Sequence, residues 1–261
     1  YGLAPLAEAL REVHFPSDDD ALQSARRRLA FDELLTLQLG MLLRRKRWIE
    51  NAKAPRLHTD DHELRAWIAE TELEPTAAQT RSLGEILEDL ARETPMSRLL
   101  LGDVGSGKTL VAAMAMRVAV GAGMQAAMMA PTELLAEQHA GTLQRYFGRR
   151  GPRVALLVGS VGEREARETR GAIERGEVDV VIGTHALIES DVRFRRLALA
   201  VIDEQHRFGV RQRSVLREKG YDPHVLLTTA TPIPRTLAQT IYRDLDVSYI
   251  DEMPPGRQPV R

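Results

Sequence analysis

Leu99-Leu100-Leu101-Gly102-Asp103-Val104-Gly105-Ser106-Gly107-Lys108-Thr109 is the stretch from which the rest of the chain is read. Three leucines run directly into G-x-x-x-x-G-K-T, and a helix-compatible segment follows at 110–120. A buried strand, a glycine turn and a helix N-terminus in that order are the context that gives this motif its meaning. Gly102, Gly105 and Gly107, with Ser106 among them, let the backbone curl round an anion and turn its N–H groups inward. The positive end of the following helix then faces the bound phosphates. Lys108 is placed to reach the β- and γ-phosphates, and the Thr109 hydroxyl to ligate magnesium. The expected ligand is a nucleoside triphosphate with Mg2+.

At 261 residues the chain has room for one large α/β domain with an appendage, or for two small domains. Hydrophobic residues make up 43%, enough for a sizeable core, and no apolar run is long enough to span a membrane. The absence of cysteine excludes disulfides and thiolate metal sites and fits a reducing compartment. The formal net charge of −1 provides no global basic field, so contact with nucleic acid has to come from local geometry. The chain opens at Tyr1 rather than methionine, which is expected of a trimmed N-terminus.

Residues 1 to about 58 read as helical: leucines and alanines from Leu6 to Leu43 recur at helical spacing. His14-Phe15-Pro16 breaks the first helix, and Ser17-Asp18-Asp19-Asp20 offers a cap to the second. The runs Arg26-Arg27-Arg28 and Arg44-Arg45-Lys46-Arg47 suit either the wet face of a helix or phosphate contacts. Ala52 to Asp61, with Pro55, reads as a connector, giving a helical segment over 1–63 and a second domain over 64–261.

In that second domain apolar strands alternate with helices. Strands are predicted at 98–101, 125–130, 154–158, 178–182, 198–202, 225–229 and 247–250. Helices are predicted at 77–92, 110–120, 133–147, 161–176, 210–219 and 234–243. Near-continuous apolar strands separated by helices imply a parallel sheet covered on both faces, whose ligands sit at the carboxyl ends of the strands.

The motifs fall at those ends. The strand 197–202 runs into Asp203-Glu204-Gln205-His206. Phosphoryl transfer to water needs magnesium held opposite the loop threonine and a group that orients the attacking water; Asp203 suits the first task and Glu204 the second. Thr132, after Ala130-Pro131, and Thr184, after Gly183, each stand at the start of a helical segment. There a hydroxyl can cap the helix or meet a nucleic-acid phosphate. Thr228-Thr229-Ala230-Thr231-Pro232-Ile233-Pro234-Arg235-Thr236 forms a stiff junction able to sense the γ-phosphate and pass movement to a neighbouring domain. His185 and His206 lack the partners of a metal site.

Together these segments resemble the first motor lobe of the superfamily-two helicases, and most closely the RecG-type branched-DNA helicases of bacteria. The supporting residues are Gly102–Thr109, Ala130–His139, Gly183–Ile188, Asp203–Val210, Thr229–Leu237 and Asp244-Leu245-Asp246-Val247-Ser248 through Pro254-Pro255-Gly256-Arg257. The resemblance covers about residues 64–261. In addition, His14-Phe15-Pro16 and Arg28–Leu34 are similar to the connector that joins that family's DNA-reading wedge domain to its motor. It implies a RecA-like P-loop domain with about seven mostly parallel strands. It also implies ATP-driven translocation on branched DNA (forks and Holliday junctions) and a place in the bacterial cytoplasm. Gln79 matches the family's adenine-contacting glutamine. Thr132 and Thr184 match its DNA contacts, and His206, Thr229, Thr231 and Arg235 its coupling residues.

The chain departs from that family in three ways. Leu73 stands near a usual aromatic position, which weakens adenine stacking. Arg243 replaces a usual glycine, and nothing in the sequence explains it. The second motor lobe with its arginine finger and the wedge domain are both missing. The chain is therefore expected to be an excised first lobe that binds nucleotide and turns it over poorly. A transcription–repair coupling motor shares Thr229–Thr236 but usually has glutamate at position 205. An RNA helicase usually reads Asp-Glu-Ala-Asp or Asp-Glu-Ala-His at 203–206. A nucleotide-gated binding module without turnover is the reading from another class.

Overall fold

The computed structural model describes residues 2–58, 60–70, 74–204, 222–230 and 245–254. The helices predicted at 210–219 and 234–243, and the positions Leu73, Gln205 and Arg243, lie outside the described residues. The chain divides into two compact units, Tyr1–Asn51 and Ala52–Arg261.

The first unit is a helical pair, α1 (Leu6–His14) and α2 (Asp19–Asn51). The break between them is held by Glu12, whose carboxylate accepts from the Ser17 N–H and hydroxyl, both at 2.8 Å. Asp18 caps α2 by accepting from the Ala21 N–H at 2.7 Å. Ala9 and Ala25, each 1% exposed, let the helices approach closely. In the basic runs Arg28 pairs with Asp32 at 3.0 Å and Lys46 with Glu50 at 3.8 Å. These are the i,i+4 pairs of a solvated helix face.

The second unit begins at Ala52, earlier than the connector reading places it. The Ala54 N–H donates to the Glu93 carbonyl and the Leu57 N–H to the Leu90 carbonyl, both at 2.8 Å, and Leu57 is buried. The segment is docked on the α/β unit and not spanning free. Helices α3 (Asp61–Glu70) and α4 (Ala77–Leu90) lead to the sheet. Its strands are β1 (Ser97–Gly102), β2 (Gln125–Met129), β3 (Val154–Leu157), β4 (Val180–Gly183), β5 (Leu197–Ile202), β6 (His224–Thr229) and β7 (Asp246–Ile250). Interleaved are α5 (Lys108–Gly121), α6 (Glu133–Phe147) and α7 (Glu163–Arg175).

All seven strands are parallel, in the order β3-β4-β2-β5-β6-β1-β7. Side chains alternate across the sheet, and both faces are filled. Leu100, Met128 and Val201 join the layer containing α3–α6, whereas Leu99, Leu101 and Ile202 join the layer containing α7. Helix α5 is buried almost all round, and its alanines let it press against the sheet. A 3-10 turn, His185–Ile188, is the helical segment that follows β4.

Strand β6 lies between β5 and β1. This order brings the ends of three strands far apart in sequence to one edge.

Candidate nucleotide site

The phosphate loop leaves β1 at Gly102 and enters α5 at Lys108. Gly105 and Gly107 have φ of +84° and +86°, the left-handed region open to glycine at least cost. A Cβ on Gly107 would overlap the Gln79 amide nitrogen, and one on Gly102 the Ser106 hydroxyl. Gln79 sits in the first turn of α4, where it forms a reciprocal capping box with Thr76. Its amide oxygen accepts from the Thr76 N–H at 3.0 Å, and its amide nitrogen donates to the Ser106 carbonyl at 2.7 Å. The glutamine read as an adenine contact is thus buried at 1% exposure and braces the loop from behind.

The Lys108 ammonium donates to the carbonyls of Gly102 at 2.8 Å and Asp103 at 2.9 Å. An ammonium has three donors, so one remains for an incoming phosphate oxygen. Burial pushes Lys108 below its ordinary value of 10.5, while the carboxylates of Asp203, Glu204 and Asp103 pull the other way.

Asp203 stands at the carboxyl end of β5, its N–H donating to the Met129 carbonyl at 2.9 Å. Its Oδ1 accepts from the Thr228 hydroxyl and its Oδ2 bonds the His139 Nε2 at 2.8 Å. Burial pushes the Asp203 carboxyl up. Hydrogen bonds from His139 and Thr228, with the charges of His139 and Lys108, outweigh it, and the group stays ionised below its ordinary value of 3.8. Glu204 adopts φ +54°, rare for a non-glycine residue.

Gly105, Lys108, Thr109, Asp203, Glu204 and Thr228 line one cleft of about 160 Å³. The Ser106 hydroxyl is buried without a partner. The residues fit a hydrated magnesium ion and a polyphosphate. A carboxylate has about four acceptor positions, and Asp203 uses two of them on its neighbours, leaving two for metal-bound water.

The other expected positions fall as follows. Thr132 is exposed and caps α6, its hydroxyl accepting from the Leu135 N–H at 3.3 Å. Thr184 is buried, its hydroxyl has no partner and it caps nothing, which corrects the cap reading there. Thr229 is buried at the end of β6 beside the loop strand, in register with Leu101. His206, Thr231 and Arg235 lie outside the described residues. Two residues at the site were not singled out from sequence, His139 and Thr228. Both stand inside quoted motifs, His139 in a polar stretch after Glu137-Gln138 and Thr228 beside Thr229, and neither residue type nor spacing marks them out.

Residues 76–240 match the model of the DEAD/DEAH box helicase family. Over 260 residues, all of this chain and 31% of the relative, the sequence is 48% identical to an ATP-dependent DNA helicase RecG of Synechocystis. It is also 48% identical over 258 residues to that of Bacillus subtilis, covering 99% of this chain and 38% of the relative. The chain thus spans about a third of the length of such relatives. A solved structure of RecG bound to a three-way DNA junction superimposes with a TM-score of 0.86 at 42% identity, over 99% of this chain and 35% of that one. A hypothetical ATP-dependent RNA helicase from Sulfolobus tokodaii shares the fold alone, with a TM-score of 0.53 and 18% identity over 73% of this chain and 57% of its own.

Proposed function

The chain belongs to the DEAD/DEAH box helicases, in their RecG-type branch, and from that membership we propose that it is the first motor lobe of an ATP-driven DNA translocase. The intact protein remodels branched DNA, stalled forks and Holliday junctions, in recombination and repair in the bacterial cytoplasm. The observation that carries this reading is the placement of Lys108 and Asp203 in one cleft at the ends of β1 and β5, with Thr228 of β6 between them.

In this reading the N–H groups of Gly105, Gly107 and Lys108 and the Lys108 ammonium hold the ATP phosphates. Thr109 and Asp203 hold Mg2+, which neutralises charge on the transferring phosphoryl group. Glu204 orients the attacking water, and Gln79 keeps the loop open and borders the adenine. Thr132 offers an exposed hydroxyl to a DNA phosphate. At Thr184 the hydroxyl is buried, so contact there falls to the backbone. His206, Thr229, Thr231 and Arg235 pass the state of the γ-phosphate to the second motor lobe. That lobe and the wedge domain belong to the remaining length of the protein.

The test is ATP turnover by the full-length protein with and without forked DNA, comparing wild type with Glu204→Gln. The substitution is expected to lower turnover at least about a hundredfold with ATP affinity retained. Turnover that survives it, or that ignores DNA, contradicts the proposal.

A further inference from the structure

Asp203 is gripped from two elements, a neighbouring strand of the sheet and a helix packed on it. Thr228 of β6 reaches Oδ1, while His139 of α6 reaches Oδ2 at 2.8 Å. An ionised carboxylate only accepts, so the His139 Nε2 is the donor. The two side chains are 13% and 15% exposed. They are separated by 64 positions in sequence.

Helix α6 is fixed along its inner face by Ala136, Ala140, Leu143 and Phe147, all buried. Its other end is the exposed cap Thr132. Thr132 and His139 are seven positions apart, two helical turns or about 10 Å, and fall on nearly the same side of the helix. The Asp203 backbone is meanwhile anchored to β2 through the Met129 carbonyl. Because Glu133–Phe147 is one continuous helix, a shift of α6 as a unit carries the imidazole relative to a carboxylate whose main chain stays in place.

We infer that His139 is the positioning residue for Asp203, and that α6 carries DNA occupancy at Thr132 to the nucleotide site through this one hydrogen bond. The inference rests on the reading of Asp203 as the metal-holding group and Thr132 as a DNA contact. Outer hydrogen bonds aim the ligands of a metal and set its affinity, commonly by ten- to a hundredfold, about the size expected here.

The experiment uses the full-length protein as wild type, His139→Ala and His139→Gln. Mn2+ binding in the presence of ADP, followed by electron paramagnetic resonance, reads the metal site to which Asp203 contributes. ATP turnover with and without forked DNA reads the coupling. His139→Ala is expected to weaken Mn2+ binding about tenfold and to lower the ratio of DNA-stimulated to basal turnover by a similar factor, acting more on kcat than on KM. In His139→Gln the amide nitrogen can take the place of Nε2, and most of both losses should be recovered. Mn2+ affinity and stimulation within about twofold of wild type in His139→Ala would overturn the inference, as would a glutamine variant no better than alanine. Equal loss of basal and stimulated turnover would overturn the coupling through α6. If the wild type shows no DNA stimulation, the reading as a DNA motor fails instead, and Mn2+ binding still decides whether His139 positions Asp203.

Discussion

The Gln79 amide nitrogen donates to the Ser106 carbonyl at 2.7 Å, tying the first turn of α4 to the phosphate loop. Because the same amide oxygen accepts from Thr76, one side chain closes a helix cap and sets the loop's rear wall. Gln79→Ala leaves the buried Ser106 carbonyl and the part-buried Thr76 N–H without this partner, at a cost of about 1–3 kcal/mol. A lower urea midpoint with unchanged slope, together with weaker ATP binding, is the expected result.

Gly107 lies against that same amide at φ +86°. Gly107→Ala adds a methyl group where the backbone conformation disfavours one and where Gln79 already sits. Nucleotide binding should be lost at a stability cost of at least about 1 kcal/mol. Isothermal titration with ATP and a thermal melt on one preparation separate the two effects.

What could be read from the chain depended on how local the pattern was. Leu99–Thr109 is contiguous strand, turn and helix, so its fold and its chemistry are legible together. Asp203 is legible because an apolar strand ends on it. The partnership of His139 with Asp203 is not, since it follows from β2 and β5 lying side by side, with Met129 opposite Ile202, and that sheet order is set by packing of the whole domain. Ala52–Leu57 reads as a connector because proline and polar residues surround Leu57, yet two backbone hydrogen bonds to the end of α4 dock it. Thr184 follows a glycine at a strand end, as a cap residue would. Only its burial separates a hydroxyl facing inward from one facing a phosphate.

Arg98 of β1 joins the strand to α4. Its guanidinium donates to Asp89 at 2.8 Å, Glu85 at 3.1 Å and the Ser248 hydroxyl at 2.8 Å, with Asp89 only 6% exposed. Removing the cation leaves the buried Asp89 carboxylate with only the exposed Arg92 guanidinium at 2.9 Å, so Arg98→Ala should destabilise the unit by about 1–3 kcal/mol. Chemical denaturation measures this, and a loss below about 1 kcal/mol would show that the network is dispensable.

His224 gives the second unit an acid sensitivity. Its Nδ1 accepts from the Met96 N–H at 3.0 Å and its Nε2 donates to the Pro55 carbonyl at 2.9 Å, an arrangement only neutral imidazole allows. Burial holds it below its ordinary value of 6.5, so the unfolded chain takes up this proton first as the pH falls. Its contribution is therefore complete above about pH 6.5. It declines below that, by up to about 1.4 kcal/mol per pH unit, until the buried ring protonates. Urea midpoints should hold between about pH 8 and 7 and fall from about pH 6.5 to 5.5, and His224→Gln should flatten that fall.

The most direct test of the nucleotide site is ATP binding and turnover by this 261-residue chain, with Lys108→Ala as the comparison, each with and without forked DNA. Saturable binding that Lys108→Ala weakens at least about tenfold is the predicted result, with little turnover until the rest of the protein is present. Binding indifferent to Lys108 would contradict the assignment of the loop. Vigorous DNA-stimulated turnover by this chain alone would contradict its reading as half of a motor.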